Sequence, residues 1–204
     1  MDTTTTLGHP LSITRELRTE LIRKTVHLLV ATVPLIVTHI GTVATLLLLA
    51  AGTIIYTWAE TLRQNGRDVP VISRLTVLSS RPRDLGHFVL GPVTLGLGAM
   101  MALLLYPDPA ATVAIYALAF GDGVASVVGK LLGSIQLPLT GGKTLEGSLA
   151  CGVVVAIAGY LVLQSWPVAL AAAAAAMVLE ALPTRDADNL ILPAGVGMVT
   201  LALL

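Results

Sequence analysis

Long apolar runs, separated by short polar segments, follow one another along most of the chain. A membrane-spanning helix needs about 20 mostly apolar residues, and several segments approach or reach that length. They are Thr25–Ile40, Thr42–Ala59, Phe88–Tyr106, Ala110–Leu132, Leu145–Leu163, Trp166–Leu182 and Leu190–Leu204. The pattern therefore predicts an all-α membrane bundle of about seven transmembrane helices, built as one integral-membrane domain over residues 1–204.

Apolar residues recur at a helical period in the polar segment before the first run. In SITRELRTELIRK, Ile13, Leu17 and Leu21 are four residues apart, with charged residues between them. This spacing predicts a short amphipathic helix that lies at the membrane interface before the first span. Residues 1–11, which include the TTTT run, are predicted to form a disordered tail.

The composition supports a membrane location. Hydrophobic residues make up 55% of the chain and charged residues only 12%, whereas a soluble domain carries about a quarter charged residues. Much of the surface is therefore expected to face lipid. The single cysteine, Cys151, excludes an intramolecular disulfide and is predicted to be a small packing residue.

Basic residues are distributed unevenly along the chain. In a seven-span arrangement, all 12 Lys and Arg residues fall on one side of the membrane. The other side carries no Lys or Arg, only Asp108 and His39. The positive-inside rule then predicts that the N-terminus lies in the cytoplasm and the C-terminus outside.

An aspartate interrupts the fourth apolar segment, which reads ALAFGDGVASVVGKLLG. Ionisable groups inside membrane segments are costly and commonly functional, and the two glycines that flank Asp122 let a helix loosen or a ligand approach. Ser126 and Lys130 are four residues apart and share one helix face. The alternative is a structural aspartate that caps a broken helix or pairs with Lys130.

The stretch GGKT before the fifth segment suggests a nucleotide-binding P-loop. That motif requires a glycine five residues before Gly142, and Leu137 occupies the position. The required buried strand is also missing, since GKLLGSIQLP precedes the stretch. The P-loop interpretation is therefore rejected.

The same stretch has the features of an anion site at the start of a helix. Gly142 and its neighbour predict a flexible turn, and Thr144 or Ser148 predicts a cap for the helix that begins near residue 145. Lys143 beside free backbone N–H groups favours a bound anion, unless its side chain only extends to the interface. Glu146 either ligates a metal or complements the helix dipole.

Acidic residues gather in LEALPTRDADNLILP, after the sixth segment. Glu180, Asp186, Asp188 and Asn189 offer carboxylate and amide oxygens, the ligands that Mg²⁺ prefers. Asp186 and Asp188 could instead form a solvated loop and cap the last span. Glu180 still lies inside the apolar run, which favours a function for it.

The first segment adds a fourth polar group. Glu20, Arg23, Lys24 and His27 share one helix face, although each residue alone could be an interfacial anchor or a core polar residue. Four separate segments thus bring acidic and basic groups to one cytoplasmic layer of the predicted bundle.

The blocks ELIRKTVHLL, AFGDGVASVVGKLLG, GGKTLEGSLAC and EALPTRDADNLILP occur in this order. Together they resemble the family of dolichol kinases, phytol kinases and CTP-dependent diacylglycerol kinases, from about Glu20 to Pro193. Members of that family are polytopic enzymes that phosphorylate a membrane lipid alcohol with CTP. The resemblance implies a lipid-alcohol kinase that releases CDP and uses Mg²⁺. It implies CTP, a lipid alcohol and the bilayer as partners, and no nucleic acid.

The resemblance also implies roles for individual residues. The catalytic group would be Asp122, Lys130, Lys143 and His27, with His27 or a carboxylate as general base. Nucleotide and phosphates would be bound by Lys130, Gly142, Lys143, Thr144, Gly147, Ser148 and Asn189. The metal ligands would be Asp122, Glu146, Glu180 and Asp188.

Two other functions remain open. Related blocks occur in phosphatidate cytidylyltransferases, but the longer C-terminal signature of those enzymes is not evident around Arg185 and Asp186. A small ion-coupled transporter with a broken fourth span is the third candidate, but its polar residues should reach both membrane faces. Among alcohols, phytol, geranylgeraniol, a longer polyprenol or dolichol, and diacylglycerol stay open. An isoprenoid is favoured because no site for a glycerol backbone is evident.

Overall fold

The computed structural model describes residues 10–67, 69–80, 84 and 86–204, with the side chains of residues 10–18 and 185 left undescribed. The described part is helical and contains no strand, only one isolated antiparallel bridge between Gln136 and Thr144. Its α-helices are α1 Pro10–Val30, α2 Val33–Ile40, α3 Thr42–Gln64, α4 Pro70–Ser79, α5 Gly91–Leu105, α6 Ala110–Tyr116, α7 Asp122–Leu132, α8 Leu145–Leu163, α9 Trp166–Glu180 and α10 Asp188–Ala202. A π-helical turn, Ala117–Gly121, joins α6 to α7, and a 3-10 turn, Arg185–Ala187, precedes α10.

Four helical segments are long and apolar enough to cross a membrane. They are Thr19–Ile40, Thr42–Gln64, Ala110–Leu132 and Leu145–Leu163. Helices α5, α9 and α10 have 15 residues each, which is short of a full crossing. The predicted all-α fold is confirmed for the described residues, with four helices that could span a membrane, and the count of seven spans stays a prediction.

The N-terminal part differs from the predicted arrangement. Helix α1 runs unbroken from Pro10 to Val30, so the predicted interfacial helix and the start of the first span form one helix. The break falls instead at residues 31–32, before Pro34, whose ring cannot continue a helix. Among the described side chains of α1, Glu20 and Lys24 are buried and pair with Lys130 and Asp122 of α7. An interfacial position for the start of the helix stays a prediction.

Two sequence predictions extend beyond the described residues. Most of the predicted disordered tail, residues 1–9, lies outside them, while residues 10 and 11 belong to α1. Arg81 and Arg83, which contribute to the predicted cytoplasmic charge, also lie outside them.

The hairpin between α2 and α3 turns on one glycine. Gly41 has φ of +83°, a conformation that L side chains rarely adopt, and it ends one helix where the next begins. The tight hairpin predicted at this position is confirmed.

Small side chains let the helices of the core approach closely. One buried cluster joins the middle of the chain to its C-terminal helices and includes Cys151, Val155, Ala172, Ala176 and Leu192. Alanines of the Ala171–Ala176 run are buried between α8 and α10, as the sequence predicts for close helix packing. A second cluster packs α5 and α6 against the first two helices.

A buried ion pair, which the sequence analysis missed, holds the segment before α5. Glu60 is fully buried, and its carboxylate accepts hydrogen bonds from Arg63 Nε at 2.7 Å and from the Val89 backbone N–H at 2.9 Å. Arg63 also donates to the His87 carbonyl at 3.2 Å. This pair fixes residues 87–89 against the end of α3.

We expect Glu60→Ala to lower the free energy of unfolding by about 2 kcal/mol, because the Val89 N–H loses its acceptor and the partly buried Arg63 loses its carboxylate partner. The matched variant Glu60→Gln keeps one oxygen for Val89 and should lose less. Thermal unfolding of the purified protein in detergent measures both. Equal unfolding temperatures for Glu60→Ala and the parent chain would contradict a stabilising role.

Candidate active site

A cavity of about 580 Å³ lies between α7, the start of α8, the end of α9 and the start of α10. This volume lies within the usual range for small-molecule sites, and it is called the large cavity below. Most of the predicted site residues line it, namely Asp122, Lys130, Gly142, Lys143, Thr144, Gly147, Glu180 and Asp188. Residues that are far apart in the chain therefore meet at one cavity, in line with the predicted convergence of several polar segments.

Asp122 is the first residue of α7, directly after the π-helical turn. Single π-turns inside helices commonly mark functional sites. Asp122 is 5% exposed; its Oδ2 accepts from Lys24 Nζ at 2.5 Å and lies 3.1 Å from His27 Nδ1. Both contacts use the same oxygen. Oδ1 has no hydrogen-bond partner within the described part of the chain and remains available to a ligand.

A network of charges surrounds this aspartate. Glu20 is 1% exposed, pairs with Arg23, and accepts from Lys130 Nζ at 2.7 Å. Lys24 Nζ lies 3.9 Å from Glu20 as well as against Asp122. The alternative in which Asp122 pairs with Lys130 is therefore wrong, because Lys130 pairs with α1 instead.

The glycine turn presents Lys143 to the large cavity. Gly141 and Gly142 have φ of +73° and +97°, so both adopt backbone conformations that favour glycine. The Lys143 ammonium donates to the Glu180 carbonyl at the end of α9 and lies 3.3 Å from Glu180 Oε1. Lys143, which lies just before α8, thus contacts the end of α9 at the cavity wall.

The start of α8 has the predicted cap. Thr144 Oγ1 accepts from the Gly147 N–H at 3.2 Å, and the helix begins at Leu145. A Cβ at Gly147 would lie 2.8 Å from the carbonyl oxygen of Ala125. Only a glycine therefore allows α7 and α8 to approach this closely at the cavity.

Glu180 is held in place from both sides. Ser148 Oγ donates to Glu180 Oε2 at 2.8 Å, and Lys143 lies near Oε1. Ser148 is buried behind the cavity and does not line it. Its position makes it a partner of Glu180.

Four predicted site residues do not line the large cavity, namely Ser148, His27, which lies against Asp122, and the pair Glu146 and Asn189. Glu146 Oε1 accepts from the backbone N–H groups of Ser134 at 2.9 Å and Ile135 at 3.1 Å, so this carboxylate anchors the loop after α7. Asn189 is 2% exposed, and its Nδ2 donates to Thr94 Oγ1 at 2.9 Å, which ties α10 to α5. The sequence places both residues next to cavity-lining positions, but local hydrogen bonding turns their side chains elsewhere.

The acidic residues around the cavity fit a cation that is shared with a ligand. Asp188 lies just before the last predicted span, where burial and the nearby Asp122 carboxylate raise the pKa of its carboxyl to about 6. A cation between two such groups would relieve their repulsion. No three His, Cys, Asp or Glu side chains among the described residues form a metal-binding group. Mg²⁺ is commonly held by one or two carboxylates together with substrate phosphates, and Asp122 and Asp188 match that pattern.

Comparison with curated proteins finds one significant match. The chain is 33% identical over 127 residues to a protein of Arabidopsis thaliana named dolichol kinase EVAN. The match covers 54% of this chain and only 22% of that relative. No protein-family model and no solved structure matches the chain. The similarity supports, at most, a relation to the polyprenol kinases.

Proposed function

We propose that this protein is a CTP-dependent kinase that phosphorylates the hydroxyl group of a membrane lipid alcohol and releases CDP. The observation that carries the proposal is the large cavity, which is lined by three carboxylates and two lysines, namely Asp122, Glu180, Asp188, Lys130 and Lys143. Such a set suits phosphoryl transfer, which depends on positioning and on neutralising phosphate charge. The similarity to a dolichol kinase supports the same reaction class.

The proposed roles follow from where each side chain lies. Lys143, next to the glycine turn and the start of α8, binds phosphate oxygens of CTP. Lys130 is 41% exposed on its side chain and adds positive charge at the cavity while held by Glu20. Asp122 and Asp188 would hold Mg²⁺, which would supply charge neutralisation on the phosphates. Glu146 is omitted from the metal set because loop N–H groups occupy its carboxylate.

The acceptor must lose a proton during the reaction. The alcohol oxygen attacks the γ-phosphorus, the bond from this phosphorus to the β–γ bridging oxygen breaks, and CDP leaves. His27 is the proposed acceptor of the hydroxyl proton, since its ring lies beside Asp122, with Nδ1 3.1 Å from Oδ2. Lys24 lies against Asp122 and balances its charge.

The proposed orientation follows from the distribution of charge. The large cavity is lined by Lys130 and Lys143, which belong to the basic side predicted from the sequence, and we assign this side to the cytoplasm. CTP would reach the cavity from water, and the apolar tail of the alcohol would stay in the bilayer. An isoprenoid alcohol is the proposed substrate, with diacylglycerol as the alternative.

The direct test is a transfer assay with the purified full chain in detergent. CTP labelled on the γ-phosphate is supplied with Mg²⁺ and, in turn, phytol, geranylgeraniol, a polyprenol and diacylglycerol. We expect label in an isoprenoid phosphate and CDP as the second product. Removal of Mg²⁺ with a chelator should abolish transfer, and ATP in place of CTP should support little of it.

Two results would overturn the kinase proposal. Pyrophosphate release when phosphatidate is supplied, without label in any alcohol, would assign a cytidylyltransferase reaction. No transfer from CTP to any lipid, under conditions in which the protein is folded, would remove CTP chemistry altogether and favour a transporter.

A further inference from the structure

A second, much smaller cavity lies on the other side of the pair formed by His27 and Asp122. Its volume is about 40 Å³, and His27 lines it, whereas Asp122 lines the large cavity. The 3.1 Å contact between His27 Nδ1 and Asp122 Oδ2 therefore joins the two cavities. Despite this short distance, Nδ1 has no hydrogen-bond partner of acceptable geometry, and within the described part of the chain Nε2 makes no hydrogen bond either.

The walls of this small cavity are mostly apolar. Val26, Val89, Leu90, Pro92 and Leu95 line it, and Leu90 is half exposed at the outer surface. An apolar chain can therefore continue from the cavity across Leu90 toward lipid. The buried pair of Glu60 with Arg63 fixes the Val89 backbone, so this wall is held rigidly in place.

We infer that the small cavity binds the hydroxyl-bearing end of the acceptor alcohol, with the hydroxyl donating a hydrogen bond to His27 Nε2. The inference rests on the proposed kinase function and assigns the place of its second substrate. A hydroxyl bound at His27 lies between the apolar surface and the large cavity, where the phosphates of CTP are proposed to bind.

Size restricts what the small cavity accepts. A single water needs about 10–15 Å³ on the same measure of volume, so about 40 Å³ accommodates a hydroxyl and the first carbons of a chain. The large cavity, at about 580 Å³, is the one that suits a nucleotide. A glycerol carrying two ester groups exceeds the small cavity, which favours a single-chain prenol over diacylglycerol.

The lining of the small cavity combines polar and apolar groups. Among the described residues, Arg23, Asp84 and Asp186 line it beside the apolar side chains, and Arg23 is paired with Glu20. An alcohol has the matching character, with a hydroxyl group at the end of an apolar chain.

Ser79 offers a way to fill the small cavity without touching the large one. Its side chain lies at the end of α4 on the cavity wall, and Oγ donates only to carbonyls of its own helix, Leu75 at 2.9 Å and Thr76 at 3.2 Å. Ser80 makes the same kind of bond, to Thr76 at 2.6 Å, but does not line the cavity. Ser80→Leu is therefore a matched control for Ser79→Leu.

We expect Ser79→Leu to raise the KM for geranylgeraniol about tenfold or more, because the larger side chain would fill part of the cavity and even one methylene changes binding in a pocket by about that factor. The KM for CTP should stay within about twofold of the parent value, because that substrate binds elsewhere. Ser80→Leu should change neither. A KM for the alcohol that Ser79→Leu leaves unchanged would overturn the inference and leave the kinase proposal standing.

A labelling experiment tests the small cavity independently of catalysis. A prenol analogue with a photoreactive diazirine next to its hydroxyl end is irradiated with the full chain in detergent, and labelled peptides are identified by mass spectrometry. Label at Val26 or at residues 89–95, reduced by Ser79→Leu and by excess geranylgeraniol, supports the inference even if no phosphate is transferred. Label confined to the walls of the large cavity, or to lipid-facing surfaces alone, overturns it.

Discussion

Asp122→Asn should lower kcat for phosphate transfer about a thousandfold or more, which corresponds to roughly 4 kcal/mol of transition-state stabilisation. The change removes the negative charge that is proposed to hold Mg²⁺. It also weakens the contact with His27, because Oδ2 lies 3.1 Å from Nδ1. Metal binding and proton acceptance both serve the phosphate-transfer step, so loss of either lowers kcat. Steady-state transfer from γ-labelled CTP, with the alcohol at saturation, measures the effect.

The same substitution also threatens stability, and a second variant separates the two effects. Lys24 is 4% exposed and contacts Asp122 at 2.5 Å, so Asp122→Asn leaves a buried cation with a weaker partner. Adding Lys24→Met removes that cation and should recover the unfolding temperature. Transfer should stay lost in the double variant. Recovery of transfer together with stability would show that Asp122 is only a structural partner of Lys24.

Most of the large cavity was predictable from sequence because its residues lie where sequence rules are strong. Asp122 stands out as a charge inside an apolar run, and Thr144 carries the signature of a helix cap. Gly142 and Lys143 adjoin that cap, and Asp188 precedes the last apolar run. Each signal is local, and together they identify the segments that line the cavity.

The pairing between these segments was not predictable, because it depends on three-dimensional packing. Lys24 and Asp122 are 98 positions apart in the chain, and Lys130 pairs with Glu20 of α1 rather than with Asp122 of its own helix. The direction of a side chain is equally hidden from spacing. Glu146 adjoins the cavity-lining Gly147, yet its carboxylate turns to the N–H groups of Ser134 and Ile135.

Glu60 is a buried carboxylate that sequence rules can identify. It lies one residue beyond the second predicted span, Thr42–Ala59, whereas α3 continues to Gln64. A buried carboxylate with an arginine three positions later is a visible signal. Helix α4, by contrast, lies in a polar connecting segment that was assigned no structure, although Pro70 at its first position is typical of a helix start.

Lys143→Met should lower kcat/KM for CTP about a hundredfold, or roughly 2.7 kcal/mol, because it removes a cation proposed to contact the phosphates. Lys130→Met is the matched comparison, since both lysines line the large cavity. Lys130 is more exposed and is paired with Glu20, so its replacement should cost about tenfold or less. Transfer kinetics at varied CTP concentration measure both variants.

A structural role for Lys143 makes a different prediction, because its ammonium also donates to the Glu180 carbonyl at the end of α9. If that contact were its whole purpose, Lys143→Met would lower the unfolding temperature and leave the KM for CTP unchanged. A role in phosphate binding requires the KM to rise even where the protein remains folded. Excess CTP should also raise the unfolding temperature of the parent chain more than that of Lys143→Met, since a ligand stabilises the folded state only as far as it binds. An equal rise in unfolding temperature for the two chains would show that Lys143 does not bind the nucleotide, whether or not the protein is a kinase.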